Sequence, residues 1–343
     1  MTSLSDGITP RGRAHQDASA GPVGLEIDGS RVAEYRSGAD LPADHSPRPY
    51  LHPLTSPAGV ALTEVAPADH PHHYGVSMAV ADVDGTSHWG GRTFVAGTGS
   101  TLLENHGRQD RVDLVALPEG GGIDEILHWH DPAGRLQLTE SRRIRVQAVP
   151  GLTAWTLTWT SVLTAPGPAA VRIGSPATNG RPGAGYGGIF WRLPNRPGTE
   201  VLSAAGAGEA LAHGSHSPWL ALNQSDGDAT VGLLLSQPAE VARPWFVRAA
   251  EYAGAGPMLA AETVLTLAPG DSVTTSLYAV MLDRAVLDDA DAEGILAAAG
   301  LFGDDGRADA QPPAGVPDVA PRNAGSPQAA SSGIDEAGPG VRA

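Results

Sequence analysis

Apolar and polar residues alternate with period two over long stretches of this chain. In "WTLTWTSVL" (155–163), Trp155, Leu157 and Trp159 oppose Thr156, Thr158 and Thr160. That is the pattern of a strand with β-formers on both faces. In "RLQLTESRRIRVQAV" (135–149), Leu136, Leu138, Ile144, Val146 and Ala148 share one face. "TVGLLLS" (230–236) predicts a further strand, and "ETVLTLAPGDSVTTSLYAVML" (262–282) predicts a hairpin through "APGD". Turn signals such as "DPAG" (131–134), "VPG" (149–151) and "APGP" (165–168) punctuate the runs. Only "DDADAEGILAAAG" (288–300) predicts a helix, with acids at its start and Gly300 at its end.

Many strands joined by short turns predict an all-β fold. The patterned body is too long for an ordinary seven-strand sandwich, so a large antiparallel β-sandwich of two big sheets is expected, with one short C-terminal helix. The body spans residues 21–303 as a single domain. Residues 1–20 are polar and unpatterned, and 304–343 are rich in Ala, Pro, Gly and Ser, so both ends are expected to be disordered tails.

Composition narrows the chemistry. The 343 residues include no cysteine, which excludes disulfides and thiolate catalysis. Lysine is absent too, which removes Schiff-base and P-loop chemistry. The net charge of -16 disfavours nucleic acid and anionic membranes as partners. No run approaches the roughly 18 apolar residues of a membrane helix, and the first residues carry no apolar leader. A cytoplasmic protein acting on a small molecule is the expectation, with its oligomeric state open.

Nine of the twelve histidines fall between positions 45 and 130. "DHPHHYG" (69–75) is the densest run. If it is extended, His70 and His72 face one way and His73 the other. Such imidazoles serve either as metal ligands or as proton carriers whose tautomer Asp69 can fix. Glu140 and Arg142 share the parity of Leu138 and Ile144, which predicts a buried carboxylate and guanidinium. They form either a structural ion pair or the lining of a polar cleft. The glycine-rich "NGRPGAGYGGIFWR" (179–192) and "RPWF" (243–246) offer Tyr186, Arg192 and Trp245. Aromatic faces and arginine forks suit a sugar.

Three segments carry a family resemblance: "RPYLHPLTSPAGVALTEVAPADHPHHYGV" (48–76), "TESRRIRV" (139–146) and "GSPATNGRPGAGYGGIFWR" (174–192). Together they resemble the PmoA-like family of uncharacterised bacterial proteins. The resemblance implies that Arg48, Tyr50, His52, Asp69, His70, His72, His73, Glu140, Tyr186 and Arg192 lie in shared motifs. "ETVLTLAPGDSVTTSLYAVMLD" (262–283) is similar to the last hairpin of galactose-mutarotase-like sandwiches. That likeness implies a sugar on a concave sheet, a histidine acid and a glutamate base.

The combined expectation is a carbohydrate-active isomerase, lyase or hydrolase. His52, His72 or His73 is the acid, and Glu140 is the base or the orienting carboxylate. Arg48, Tyr50, Asp69, His70, Arg142, Tyr186, Arg192 and Trp245 bind the sugar. No cofactor is expected. One alternative is a metal-dependent oxidoreductase or hydrolase that holds a divalent metal at His70–His73. The other is a sugar-binding protein without turnover.

Overall fold

The computed structural model describes residues 14–16 and 21–301. The sequence expectations for tails fall outside these residues, except that Ala14–Gln16 pairs with Arg108–Ala116 at a sheet edge.

Two antiparallel sheets face each other. The large one has ten strands, with Arg108–Ala116, Gly122–His130, Leu136–Ala148, Ala154–Thr164, Ser272–Leu282 and Ala229–Ser236 adjacent in that order. The small one has seven, in the order Trp245–Arg248, Gly254–Pro257, Gly188–Arg192, Val76–Ala79, Tyr50–Leu54, Ser30–Arg36, Val23–Ile27. This is the expected large antiparallel sandwich.

Strand alternation decides what lies between the sheets. From the large sheet, Leu127, Trp129, Leu138, Ile144, Leu157, Trp159, Leu277 and Met281 point inward. Leu51, Val76, Met78, Ile189, Trp191, Trp245 and Val247 answer from the small sheet. The helix Asp289–Ala298 closes part of the large sheet's other face. Its Ala292, Ile295 and Leu296 pack on Ala221, Leu234, Val280 and Leu282. Asp288 caps it by accepting a hydrogen bond from the Asp291 backbone N–H at 2.9 Å.

One strand expectation fails. Leu265–Leu267 and Ser272–Leu282 do not form a hairpin. The first pairs with Val171–Gly174, whereas the second lies between Ala154–Thr164 and Ala229–Ser236. The "APGD" turn sets where the chain reverses, but eleven residues of the long strand find partners that bury Leu277, Ala279 and Met281.

A charged network sits inside the sandwich. The Glu140 carboxylate accepts from Arg142 Nε and Nη2 at 2.8 Å each, from Trp129 Nε1 at 2.9 Å and from the Ser161 hydroxyl. Arg142 Nη1 donates to the Tyr35 hydroxyl at 2.7 Å. That hydroxyl bonds Glu125, which also pairs with Arg111. Burial pushes Glu125 and Tyr35 up, against the pull of Arg142. Burial would lower Arg142, but Glu140 outweighs it and raises the guanidinium. Two acids balance two arginines, so the network is neutral overall. Tyr35 comes from the small sheet and the rest from the large one, so the network ties the sheets in register.

Candidate functional site

The opposite, outward face of the small sheet carries a different set of side chains. Tyr50 pairs in register with Ser77, and Phe190 with the same Ser77, so these residues share a face. His52, Ala79, Arg192, Phe246 and Arg248 follow by alternation. Ala79, Phe190 and Phe246 join Trp89, Tyr252 and Met258 in an apolar patch there.

The segment 67–75 lies over this patch as turns, not as a strand. The His70 N–H donates to the Pro67 carbonyl and the His73 N–H to the His70 carbonyl, both at 3.0 Å. Pro71 occupies the second position of the latter turn, which its fixed φ suits. The expected alternation of His70 and His72 against His73 is therefore replaced by clustering. The rings of His70 and His73 stack at 4.6 Å between centroids, and those of His72 and His73 meet edge-on at 4.7 Å. Tyr252 touches His70 at 4.7 Å and His73 at 5.5 Å, and Trp89 and Phe190 wall His73 at 5.5 and 5.2 Å. His72 packs against Gly91, where a Cβ would come within 2.6 Å of Nδ1.

Polar groups surround these rings. His70 Nδ1 lies 2.9 Å from Asp69 Oδ2. Arg192 reaches Glu64 at 3.1 Å and Asp69 at 3.5 Å, and its guanidinium stacks 4.8 Å from the Tyr252 centroid. The Tyr74 hydroxyl is 2.6 Å from His45 Nδ1, and its ring is 5.2 Å from that of Tyr50. Arg48 is buried and donates to the carbonyls of His45, Ser46 and His72 and to the Ser77 hydroxyl, at 2.8–3.1 Å.

Electrostatics keep the inner imidazoles neutral. Burial, then the charge of Arg48, pushes His72 down to about 3. Burial and the neighbouring imidazoles hold His73 well below its ordinary value. His45 and His52 are lowered by burial. Burial acts to raise Asp69, but the hydrogen bond from His70 and the charge of Arg192 outweigh it and hold the carboxyl below the usual range.

These shifts give folding a pH dependence. In the unfolded chain each imidazole titrates near 6.5. His72 resists protonation down to about 3, and His88, fully buried beside Gln137, down to about 4. Their contribution is present above the unfolded value and is lost as pH falls through 6.5 towards the folded values. Between about pH 8 and about pH 5 each loses on the order of 2 kcal/mol. The Tm is expected to drop by roughly 2–4 °C for each kcal/mol lost. Thermal unfolding in two buffers checks this, and an unchanged Tm at the lower pH would contradict it.

The structure gathers Arg48, Tyr50, Asp69, His70, His72, His73 and Arg192 on this face. His52 sits at its flank, bonded to Thr63 at 3.0 Å. Tyr186 sits at the other flank, against Trp89 at 4.6 Å and Phe246 at 5.6 Å. Glu140, Arg142 and Trp245 are not gathered there. They point into the sandwich interior on the far side of the small sheet, and the Trp245 indole donates to the Ser217 carbonyl at 2.8 Å. The expected hollow shared by Glu140 and the histidines does not form, because the inward face of the large sheet is core. His45, Trp89 and Tyr252 complete the site but belong to no motif singled out in the sequence, and Glu64 lies inside the 48–76 segment without being picked out there. His45 alone had a signal, as one of the clustered histidines.

The donors do not fit a metal. Among the described residues no group of three or more His, Asp or Glu is arranged to hold one. The rings of His70 and His73 lie face to face, with 22° between their planes. None of the site histidines lines the open pocket of 520 Å³ between Glu26–Gly29 and Val146–Ala148. Among the described residues no helix is long and apolar enough to cross a membrane.

Comparison with known proteins corrects the family expectation. No curated protein matches the chain. A solved polysaccharide lyase is similar at 14% identity with a TM-score of 0.30, covering 82% of this chain and 35% of that one. This chain thus spans about a third of the lyase's length, and a likeness so low decides nothing about function. A model of another family, described as a family of unknown function, matches residues 22–297, and nothing supports the PmoA-like family that the short motifs resembled. That match covers most of the sandwich: the chain belongs to the DUF6807 family.

Proposed function

We propose that this protein is carbohydrate-active: it binds a sugar or sugar derivative across the ring-lined outer face of the small sheet and moves protons there. One observation carries the reading. An Asp69–His70 pair and a Tyr74–His45 pair stand on a single face, among aromatic rings and arginines. Asp69 accepts a hydrogen bond from the Nδ1–H of His70, so Nε2 keeps its lone pair and serves as a base. The Tyr74 hydroxyl, bonded to His45, serves as the acid. The rings of Tyr50, Tyr252 and Trp89, each less than a tenth exposed, back Tyr74, His70 and His73 from beneath. Histidine and tyrosine replace the histidine and glutamate expected from the sequence. Epimerisation, mutarotation, elimination and hydrolysis all need such a pair.

A sugar-binding protein without turnover is the second reading. It is favoured by the close ring packing, which makes the face shallow. A thermal-shift screen against neutral aldoses, keto-sugars and uronic acids tests the proposal, because a ligand that binds only the folded state raises Tm. At least one sugar is expected to raise Tm in the wild type and not in His70→Ala. If no sugar does so, the proposal fails. If binding occurs without turnover, the second reading holds.

A further inference from the structure

Four buried arginines can be compared by what balances their charge. Arg142 and Arg111 meet Glu140 and Glu125. Arg192 meets Glu64 and Asp69. Arg48 is 2% exposed and has no carboxylate within ion-pair reach among the described residues. Its partners are three carbonyls and one hydroxyl, which solvate a cation without neutralising it. A buried charge without a counter-charge is costly, and Arg111, Arg142 and Arg192 avoid that cost. Clamping carbonyls alone does not need a permanent positive charge, since a neutral amide also donates to them.

The uncompensated cation lies directly at the site. Arg48 Nη2 bonds the His72 carbonyl, and the guanidinium lies 5.8 Å from the centroid of Tyr74. His72 is only partly buried, so ligand can approach it. A second guanidinium on this face is also incomplete. Arg192 Nη1 and His73 Nδ1 are buried with no hydrogen-bond partner among the described residues. Both side chains flank the Tyr252 ring. Each of these features is answered by a negatively charged, oxygen-rich group.

Resting on the sugar-site reading above, we propose that the ligand is a carboxylate-bearing sugar, a uronic acid or close derivative, whose negative charge balances Arg48. A carboxylate placed here also faces His45, His70, His72 and His106, with Asp44 and Asp69 as the nearby acids. Its charge opposes the lowering of His45 and His72, so binding favours proton uptake there.

The test is calorimetric titration of the full chain with D-glucuronate and D-galacturonate, against D-glucose and D-galactose. It is run in two buffers of different ionisation enthalpy at neutral pH. A uronate is expected to bind on the order of tenfold tighter than its neutral hexose. It should also take up protons, while the hexose takes up none. Arg48→Gln should erase the preference and Arg48→Lys should restore part of it. If Arg48→Gln does not fold, the wild-type comparison and the proton count still decide. Hexoses that bind as tightly as uronates would overturn this inference and leave the sugar-site reading standing. Absence of binding by all four sugars would overturn this inference, and the screen above decides the wider reading.

Discussion

Glu140→Ala is expected to cost about 3–5 kcal/mol of folding stability, the range for breaking a buried ion pair by removing one partner. The carboxylate accepts four hydrogen bonds, from Arg142 twice, Trp129 and Ser161. Deleting it leaves Arg142 charged in the core, facing Tyr35, Gln109, the Trp159 ring and the more distant Glu125. The indole N–H of Trp129 loses its acceptor as well, and an orphaned buried donor adds about 1–3 kcal/mol within that total. Replacing Glu140 and Arg142 together by apolar residues of similar volume should cost much less, because no bare charge then remains. Urea unfolding of the three proteins measures this. A loss below about 1 kcal/mol in the single variant, out of line with a buried pair, would return Glu140 to the list of functional groups.

His70→Ala is expected to lower turnover of the eventual substrate by about 10²–10⁴-fold, the usual worth of a positioned acid or base. Its side chain is 33% exposed and stacks on His73 and Tyr252, so its removal should cost only on the order of 1 kcal/mol of stability. Asp69→Asn should lower turnover less, since the ring remains but its tautomer is no longer held by a charge. Rates and melting curves for both variants separate the two effects. Equal loss of stability and rate would assign His70 to structure. Full activity in His70→Ala would remove it from the chemistry.

The sandwich was legible because alternation reports which side chains share a face. It placed Glu140 and Arg142 inward with Leu138 and Ile144, as found. Alternation is silent on whether that face closes over core or opens as a cleft, and here a second sheet with Trp191 and Trp245 covers it. For the same reason Trp245 looked like a sugar platform and is core. The histidine run was legible as a cluster but not as a shape. Two successive turns around Pro71 bring three rings together, where an extended strand would part them. His45, Trp89 and Tyr252 reach the site through contacts far apart in the chain, and no local spacing records such contacts. The motif resemblance to another family failed for a related reason. Short runs of Pro, Gly and His describe local turns, while the family match is decided over residues 22–297.

The central claim is that ligand meets this protein on the outer face of the small sheet. The most direct measurement follows the imidazole Cε1–H resonances of the full chain by NMR while a stabilising sugar is titrated. Shifts at His45, His70 and His72, with His128 and His130 on the large sheet unmoved, are the predicted result. Shifts confined to His128 and His130, or to the indoles of Trp129 and Trp245, would contradict it.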